Sequence, residues 1–178
     1  VIRSYIEMII DGIYGKPTKD IVKVLNDMDE SNNHLVKLVE DFLNVSRIEQ
    51  GRTKFNFIDN DLVKMITGVV KELKKKAEDK GLKIEWKKPV KKIKSVYADE
   101  ERIRHVIFNF IDNAAKYTEK GTIKILLSLS KDKKGLVVKV KDSGLGFGKE
   151  DEVNFFQKFY RGENVKGTNV NGTGLGLY

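Results

Sequence analysis

The sequence predicts an α+β protein in which a helical hairpin is followed by an α/β domain. Between residues 18 and 50, apolar side chains return every seven residues, which is the repeat of a helix that packs in a coiled coil or helix bundle. After Gly51, short alternating runs typical of strands are interspersed with helical patterns. We therefore expect a helical hairpin over residues 1–51 and a separate α/β domain over residues 52–178.

The hairpin consists of a short and a long predicted helix. The first runs from Val1 to about Ile13 without an N-cap residue, and Gly15 and Pro17 end it. The second carries a heptad seam, interrupted by one polar residue, Ser31. The seam residues are Ile21, Val24, Met28, Leu35, Leu38, Phe42 and Val45.

A single hairpin would leave this seam in contact with water. The most economical way to bury it is pairing with a second copy of the hairpin, which would give a four-helix bundle. The sequence therefore predicts a homodimer formed through the helical hairpin.

The predicted α/β domain contains two helices and five strands. A helix begins at the capping residues Asp59–Asp61 and ends near Lys80, where Gly81 follows. A second helix begins after Asp99, with Glu100 and Glu101 in its first turn. We predict strands over residues 53–58, 82–86, 93–98, 122–130 and 136–141.

Composition narrows the possible functions of the 178-residue chain. Its 34 Lys and Arg residues exceed its 26 Asp and Glu residues, which gives a formal net charge of +8. The lysine clusters at residues 74–76 and 87–94 are mixed with acidic residues, so we interpret them as solvated surface and expect no nucleic-acid partner. The absence of cysteine excludes disulfides, thiolate metal sites and thiol nucleophiles, and the presence of only two histidines argues against a multi-histidine metal site.

Membrane insertion is not expected for this chain itself. No apolar run reaches the ~18–20 residues that cross a bilayer. The apolar residues 1–10 include Arg3 and Glu7 and lack a cleavage-like tail, so we do not expect a signal peptide.

The helix after Asp99 carries an unusual polar line beside its apolar stripe. Asn109, Asn113 and Lys116 are spaced at i, i+4 and i+7, which places them on one side of the helix. They could be a solvated edge, or they could form a site in which an amide oxygen holds a hard cation and a lysine meets phosphate oxygens. The neighbouring stripe, expected to face the core, is Ile103, Val106, Ile107, Phe110, Ile111 and Ala114.

Two glycine-rich segments lie further along the chain. Residues 142–148, DSGLGFG, place a carboxylate at a strand end before closely spaced glycines, and residues 171–178 read NGTGLGLY. Neither segment fits the P-loop or the dinucleotide-binding fingerprint. Each alone could be a turn or an anion-binding loop.

Taken in order, the motifs resemble a known family. NFIDNAAKYT, DSGLGFG, FFQKFYRG and GTGLGLY resemble the asparagine box, first glycine box, phenylalanine box and second glycine box of sensor histidine kinases. HLVKLVEDFLNVSRIEQGR and VIRSYIEMIIDGIYG resemble the two helices of that family's dimerisation and histidine-phosphotransfer hairpin. The resemblance implies a four-helix bundle on dimerisation, followed by an α/β sandwich of the histidine kinase and GHKL ATPase type.

The resemblance also implies an ATP site with Mg²⁺ held by Asn113. Asp142 would accept the adenine amino group, and this would select adenine over guanine, which presents a carbonyl at the same position. Phe156 and Phe159 would anchor a mobile lid on the apolar core. The remaining implied nucleotide-binding residues are Asn109, Lys116, Tyr117, Gly144, Gly146, Tyr160, Arg161, Gly172, Thr173, Gly174, Leu175 and Gly176.

The chain departs from the family pattern at both ends. The family's phosphoaccepting histidine stands in a motif upstream of the segment matched by Val1, and neither His34 nor His105 lies in such a motif. We therefore expect no catalytic residue in this chain and no autophosphorylation by it alone. The family also continues beyond the residue matched by Tyr178 into a helix and closing strands.

The function implied by the resemblance is that of a two-component kinase core. It would bind Mg-ATP, phosphorylate a histidine within its dimer and transfer the phosphoryl group to an aspartate of a response regulator receiver domain. It would work in the cytoplasm, with any membrane attachment through segments outside this chain. The alternatives are a nucleotide-binding ATPase of the same superfamily, which lacks the heptad hairpin, and a degenerate scaffold module.

Overall fold

The structure is a computed structural model that describes residues 1–91, 93–165 and 172–178, with the backbone alone at residue 163. The chain divides into two compact units, Val1–Thr53 and Lys54–Tyr178. Among the described helices, none combines the length and the apolar composition needed to cross a membrane.

The first unit is a pair of helices in contact with each other, α1 (Ile2–Ile10) and α2 (Lys19–Glu49). α1 begins after Val1, which makes no side-chain capping hydrogen bond, as its sequence predicts. α2 begins after Thr18, whose Oγ1 accepts a hydrogen bond from the backbone N–H of Ile21 at 3.3 Å. This cap fixes the start of a 31-residue helix that includes the whole predicted seam.

Most of the seam on α2 is exposed in the single chain. Leu35 is 60% exposed, whereas Val45, at the end of the seam, is buried. The hydroxyl of Ser31 donates to the Asp27 carbonyl at 2.8 Å, so this polar residue is satisfied within its own helix. The other exposed seam residues are Ile21, Val24, Met28 and Phe42.

In its described residues, the second unit has two small sheets and two long helices. Its elements are β1 (Phe57–Asn60), α3 (Leu62–Asp79), β2 (Leu82–Lys87), β3 (Val96–Asp99), α4 (Glu100–Tyr117), β4 (Gly121–Leu129) and β5 (Leu136–Lys141). β1 pairs with β3 in antiparallel orientation, and β4 lies between β2, which is parallel to it, and β5, which is antiparallel. After β5, the described chain contains only short 3₁₀ turns, Lys149–Asn154 and Glu163–Val165. This mixed architecture confirms the α+β prediction.

The core of this unit lies between the two helices and the larger sheet. Ile66 of α3, Ile111 of α4 and Ile125 of β4 are completely buried in one apolar cluster. Each such side chain contributes about 1.5–3 kcal/mol through burial. The cluster holds α4 against the sheet and leaves the polar line of α4 at its edge.

Aspartate caps fix the starts of both long helices at the predicted positions. Asp61 Oδ1 accepts from the Lys64 N–H, and Asp99 Oδ1 accepts from the Arg102 N–H, both at 3.0 Å. Asp99 Oδ2 also accepts from the Asn56 N–H at 2.8 Å, which ties the start of α4 to the segment before β1. The hydrogen bonds from Asn56 and Arg102 hold the pKa of Asp99 below its usual value.

Several details differ from the sequence-based expectations: α1 ends at Ile10 rather than near Ile13, and β3 begins at Val96 rather than at residue 93. The first strand begins at Phe57 rather than Thr53, because only the residues from Phe57 onward pair with β3. Val106 and Phe110 were expected in the core but are nearly half exposed, because α4 buries a narrower stripe. The residues of α4 that are buried are Ile107, Ile111, Asp112, Ala114 and Ala115.

Candidate functional site

The polar line of α4 lies beside the C-terminal glycine segment. Asn109 and Asn113 are half-buried. A Cβ atom built on Gly176 would lie 3.8 Å from Asn113 Nδ2 and 3.9 Å from Asn109 Cγ. The structure therefore brings two predicted site asparagines and a glycine more than sixty residues away into van der Waals range.

The same segment also approaches Tyr117, the last residue of α4. A Cβ on Gly172 would lie 3.1 Å from the Tyr117 hydroxyl. Gly174 has a φ of +70° and passes against the backbone of Phe159, where a Cβ would be 2.6 Å from the carbonyl carbon. Leu175 is buried, and its N–H donates to Thr173 Oγ1 at 3.1 Å. The collision with the Phe159 backbone, together with the positive φ, explains why the segment needs a glycine at position 174.

The loop that begins at Asp142 is fastened to the end of α4. The Gly144 N–H donates to Asp142 Oδ1 at 2.9 Å, and the Leu145 N–H donates to the Tyr117 carbonyl at 3.2 Å. A Cβ on Gly144 would be 2.9 Å from the Tyr117 carbonyl carbon, so the loop can pass only without a side chain there. Gly146 has a φ of +64°.

Asp142 presents a fixed carboxylate to solvent. The side chain is exposed, and one of its oxygens is held by the Gly144 N–H. Among the hydrogen bonds between described residues, none involves Asp142 Oδ2. A carboxylate oriented in this way can accept a hydrogen bond from an amino group of a ligand.

Lys116 differs from the other members of the polar line because it is already in an ion pair. Its Nζ lies 2.7 Å from Asp112 Oδ2, and Lys76 Nζ of α3 lies 2.7 Å from Asp112 Oδ1. Burial by itself raises the pKa of Asp112, but the hydrogen bonds from Lys116 and Lys76 outweigh it and hold the pKa below its usual value. Asp112 was missed by the sequence reasoning, although an acid four residues before Lys116 is a recognisable pairing signal.

A second buried carboxylate, also missed from the sequence, organises the segment after the first glycine loop. Asp151 Oδ2 accepts from the Gly148 N–H at 2.6 Å, and Asp151 Oδ1 accepts from the Tyr160 hydroxyl at 2.5 Å. Asn164 Nδ2 donates to the Gly146 carbonyl at 2.7 Å. Residues 160–164 are thereby tied to the first glycine loop, and the predicted site residue Arg161 lies half-buried between them.

The expectation that Phe156 and Phe159 anchor a lid on the apolar core is wrong for this structure. Phe156 is 70% exposed and Phe159 is 58% exposed. The half-buried Phe155 packs instead, with its ring centroid 4.6 Å from that of Phe147 in an edge-on arrangement. Phe159 also has a φ of +61°, in the left-handed region that side chains other than glycine rarely adopt.

The oxygen atoms that the described residues offer at this site suit a cation that takes most of its ligands from a bound substrate. Among the described residues, no three acidic, histidine or cysteine side chains form a group that could hold a metal ion. Asn113 offers one amide oxygen in a half-buried position beside a glycine segment. Mg²⁺ is commonly held by one or two protein oxygens together with phosphates and water, so these residues fit it.

Six of the predicted site residues therefore meet along the second half of α4, in two groups. Asn109 and Asn113 face Gly176, while Tyr117 meets both Gly144 and Gly172. Lys166–Asn171, between the phenylalanine-rich segment and the last glycines, lie outside the described residues, and Asn171 of the second glycine motif is among them.

Comparison with known proteins identifies the family. Residues 98–178 match the family described as histidine kinase-, DNA gyrase B-, and HSP90-like ATPase. The signal transduction histidine-protein kinase BarA of Escherichia coli is 32% identical over 156 residues, which are 86% of this chain and 17% of BarA. The sensor protein SrrB of Staphylococcus aureus is 28% identical over the whole chain, which spans 30% of SrrB.

A solved structure agrees with these relatives. Full-length ShkA in complex with AMPPNP superposes with a TM-score of 0.76 at 25% identity, over 99% of this chain and 36% of ShkA. The chain thus spans less than a third of the length of BarA or SrrB. It belongs to the sensor histidine kinases and carries the ATPase-type catalytic domain of that family.

Proposed function

We propose that this chain is the kinase core of a two-component sensor. It binds Mg-ATP and directs the γ-phosphoryl group to a histidine expected upstream of Val1. The phosphoryl group then passes to an aspartate of a response regulator. His34 on α2 and His105 on α4 have no part in this transfer. The boundary between hairpin and catalytic domain lies near residue 51.

The observation that carries this proposal is the convergence of two glycine segments on the end of α4. Gly176 approaches Asn109 and Asn113, and Gly172 and Gly144 approach Tyr117 from separate segments. Closely approaching backbone with unhindered N–H groups is a general means of binding phosphates. We propose that residues 172–176 wrap the phosphates, with Thr173 and Leu175 holding the shape of the segment.

Asp142 supplies the selectivity for adenine in this proposal. Its carboxylate is oriented by the Gly144 N–H, so its second oxygen can accept a hydrogen bond from the adenine amino group. Guanine would place a carbonyl oxygen against that carboxylate, and two acceptors would face each other without a proton between them. Gly146, Tyr160 and Arg161 border the same site.

Asn113 is the proposed protein ligand for Mg²⁺, which, when bound, neutralises charge on the phosphates during transfer. The chain itself positions the nucleotide: Asn109 and Lys116 contact phosphates, directly or through water, and Tyr117 lines the adenine pocket. Since phosphoryl transfer depends mainly on positioning and electrostatic stabilisation, these contacts are the contribution expected from this part of the protein.

We also propose that the hairpin forms a homodimer. Leu35 and Phe42 are 60% and 58% exposed on one face of α2, and an apolar seam of this length is unfavourable in water. A second copy of the hairpin would bury it in a four-helix bundle and supply the surface on which a response regulator docks.

The extent of the similarity to BarA and SrrB favours a kinase over an ATPase of the gyrase type. BarA and SrrB match over 86% and 100% of this chain, so the similarity includes part or all of the helical hairpin as well as the ATPase-type domain. A scaffold without nucleotide is disfavoured because Asn113 and Asp142 are both in place beside glycine segments.

The direct test is calorimetric titration with a nonhydrolysable ATP analogue, in Mg²⁺ and in EDTA. We expect binding that depends on Mg²⁺, and its loss in Asn113→Ala. Asn33→Ala is the matched control, because it removes another helical asparagine that bonds within α2. Unchanged affinity in Asn113→Ala would refute the site assignment.

A further inference from the structure

A buried carboxylate joins two helices at the edge of the proposed phosphate site. The Asp112 side chain is only 4% exposed, and each of its oxygens accepts from a different lysine at 2.7 Å. One lysine, Lys76, comes from α3, and the other, Lys116, lies one turn further along α4. Since α3 and α4 share the main core cluster, the two helices that carry these three side chains are held against each other.

The ion pair with Asp112 restricts the position of the Lys116 ammonium group. A free lysine side chain has four rotatable bonds and loses much conformational entropy when it binds a ligand. Here the ammonium is already held by Asp112 Oδ2, and the side chain is only 24% exposed. An ammonium has three N–H donors, so two remain for other acceptors while the ion pair persists.

We propose that Asp112 is a positioning residue that holds the Lys116 ammonium ready for the nucleotide phosphates. This inference rests on the proposed function, because it takes Lys116 as a phosphate contact. Asp112 does not touch the nucleotide; it acts by reducing the ordering that Lys116 must undergo when phosphates arrive.

The net charge of Asp112 and its two lysines is compatible with this role. Two ammonium groups and one carboxylate leave a net charge of +1, so the paired lysine still lies in a positive environment. Charge alone gives the opposite prediction for a neutral residue at position 112, since removing a carboxylate near phosphates would favour their binding. The sign of the effect therefore separates positioning from simple electrostatics.

The test is calorimetric titration of the 178-residue chain with Mg²⁺ and a nonhydrolysable ATP analogue, and separately with adenosine. We expect Asp112→Asn to weaken binding of the ATP analogue roughly threefold to tenfold, the range associated with ordering one long side chain. Adenosine affinity should stay unchanged, because adenosine has no phosphate. In a Lys116→Gln background, Asp112→Asn should have no further effect on the ATP analogue.

Glu72→Gln is the matched control. Glu72 pairs with Arg104, so this substitution also removes an ion pair between α3 and α4, but at a position about 12 Å before Asp112 along α4. It should lower the melting temperature without changing the preference for the ATP analogue over adenosine. If Asp112→Asn does not fold by circular dichroism, Asp112→Glu, which keeps the charge but displaces the carboxylate, should show the same selective loss.

Three results would overturn the proposal: tighter binding of the ATP analogue by Asp112→Asn, equal losses for the ATP analogue and adenosine, or additive effects with Lys116→Gln. These failures are distinct from failure of the proposed function, in which the unsubstituted chain would show no Mg²⁺-dependent binding.

Discussion

The backbone N–H of Leu145 donates a hydrogen bond of 3.2 Å to the carbonyl of Tyr117, the residue that ends α4. This bond fastens the first glycine loop to the helix that carries the asparagines. The loop can approach so closely only because Gly144 has no side chain, and the substitution of this glycine gives a direct prediction.

Gly144→Ala should destabilise the catalytic unit by about 1–3 kcal/mol, because its Cβ would press on the Tyr117 carbonyl group. It should also weaken nucleotide binding, since the loop carries Asp142. Urea unfolding and calorimetric titration measure the two effects.

The control for this prediction is Gly81→Ala, at the end of α3 and outside the proposed site. Gly81 has a φ of +72° but open space where a Cβ would stand, so alanine there meets backbone strain of about 1–2 kcal/mol without a collision. Equal nucleotide affinity in Gly144→Ala and the unsubstituted chain would show that the close approach at Tyr117 does not shape the site.

Asp142→Asn should lower the affinity for ATP about tenfold and reduce the preference for ATP over GTP. A neutral amide is a weaker acceptor for the adenine amino group, and its N–H₂ group can donate to the guanine carbonyl. Competition of each nucleotide against a fluorescent ATP analogue measures both changes.

Asp132→Asn serves as its control, because Asp132 is in the turn between β4 and β5 and bonds only to Ser130 and Lys134 among the described residues. The adenine assignment fails if the ratio of ATP to GTP affinity is the same in Asp142→Asn and Asp132→Asn.

We expect Asp99 to make the free energy of unfolding depend on pH in the acid range. Its carboxylate accepts from the N–H groups of Asn56 and Arg102, so its pKa is lower in the folded state than the usual 3.8. A lowered folded pKa stabilises the protein at pH values above the unfolded pKa, and this stabilisation disappears as the pH falls through the folded pKa.

Asp99→Asn, which keeps an N-cap acceptor but removes the charge, should therefore be less stable than the unsubstituted chain at pH 7, and the difference should shrink below about pH 4. Urea unfolding at pH 7 and pH 3 provides the comparison. A difference that stays constant between these pH values would show that the charge of Asp99 does not contribute.

Leu35→Glu should prevent dimerisation through the hairpin. The leucine is at the centre of the exposed seam on α2, and a buried glutamate would bring an unpaired charge into each half of the bundle. Light scattering coupled to size-exclusion chromatography should show a dimer for the unsubstituted chain and a monomer for Leu35→Glu. Lys23→Glu, an exposed change off the seam, should remain dimeric, and a monomeric unsubstituted chain would refute the dimer proposal.

The sequence predicts the elements well where the local chemistry is explicit. The caps at Asp61 and Asp99 mark the starts of α3 and α4, and the turn sequence KDKKG at residues 131–135 marks the hairpin of β4 and β5. These signals depend on neighbouring residues alone, so no knowledge of the tertiary fold is needed to interpret them.

The features that the sequence does not predict depend on contacts between distant segments. The i,i+4 spacing of Asp112 and Lys116 is a local signal, but the second ion pair of Asp112, with Lys76 of α3, depends on the packing of the two helices. The sequence alone does not show which of the adjacent residues Phe155 and Phe156 is packed; the contact of Phe155 with Phe147 shows it. The late start of β1 likewise follows from its pairing with β3.

The most direct test of nucleotide binding at this site is a titration of the isotope-labelled chain with Mg²⁺ and a nonhydrolysable ATP analogue, followed by two-dimensional NMR of the backbone amides. We expect saturable shifts at Asn113, Gly144, Gly172 and Gly176, with the amides of α1 unaffected. Saturable shifts confined to other parts of the chain, or no shifts at all, would contradict this expectation.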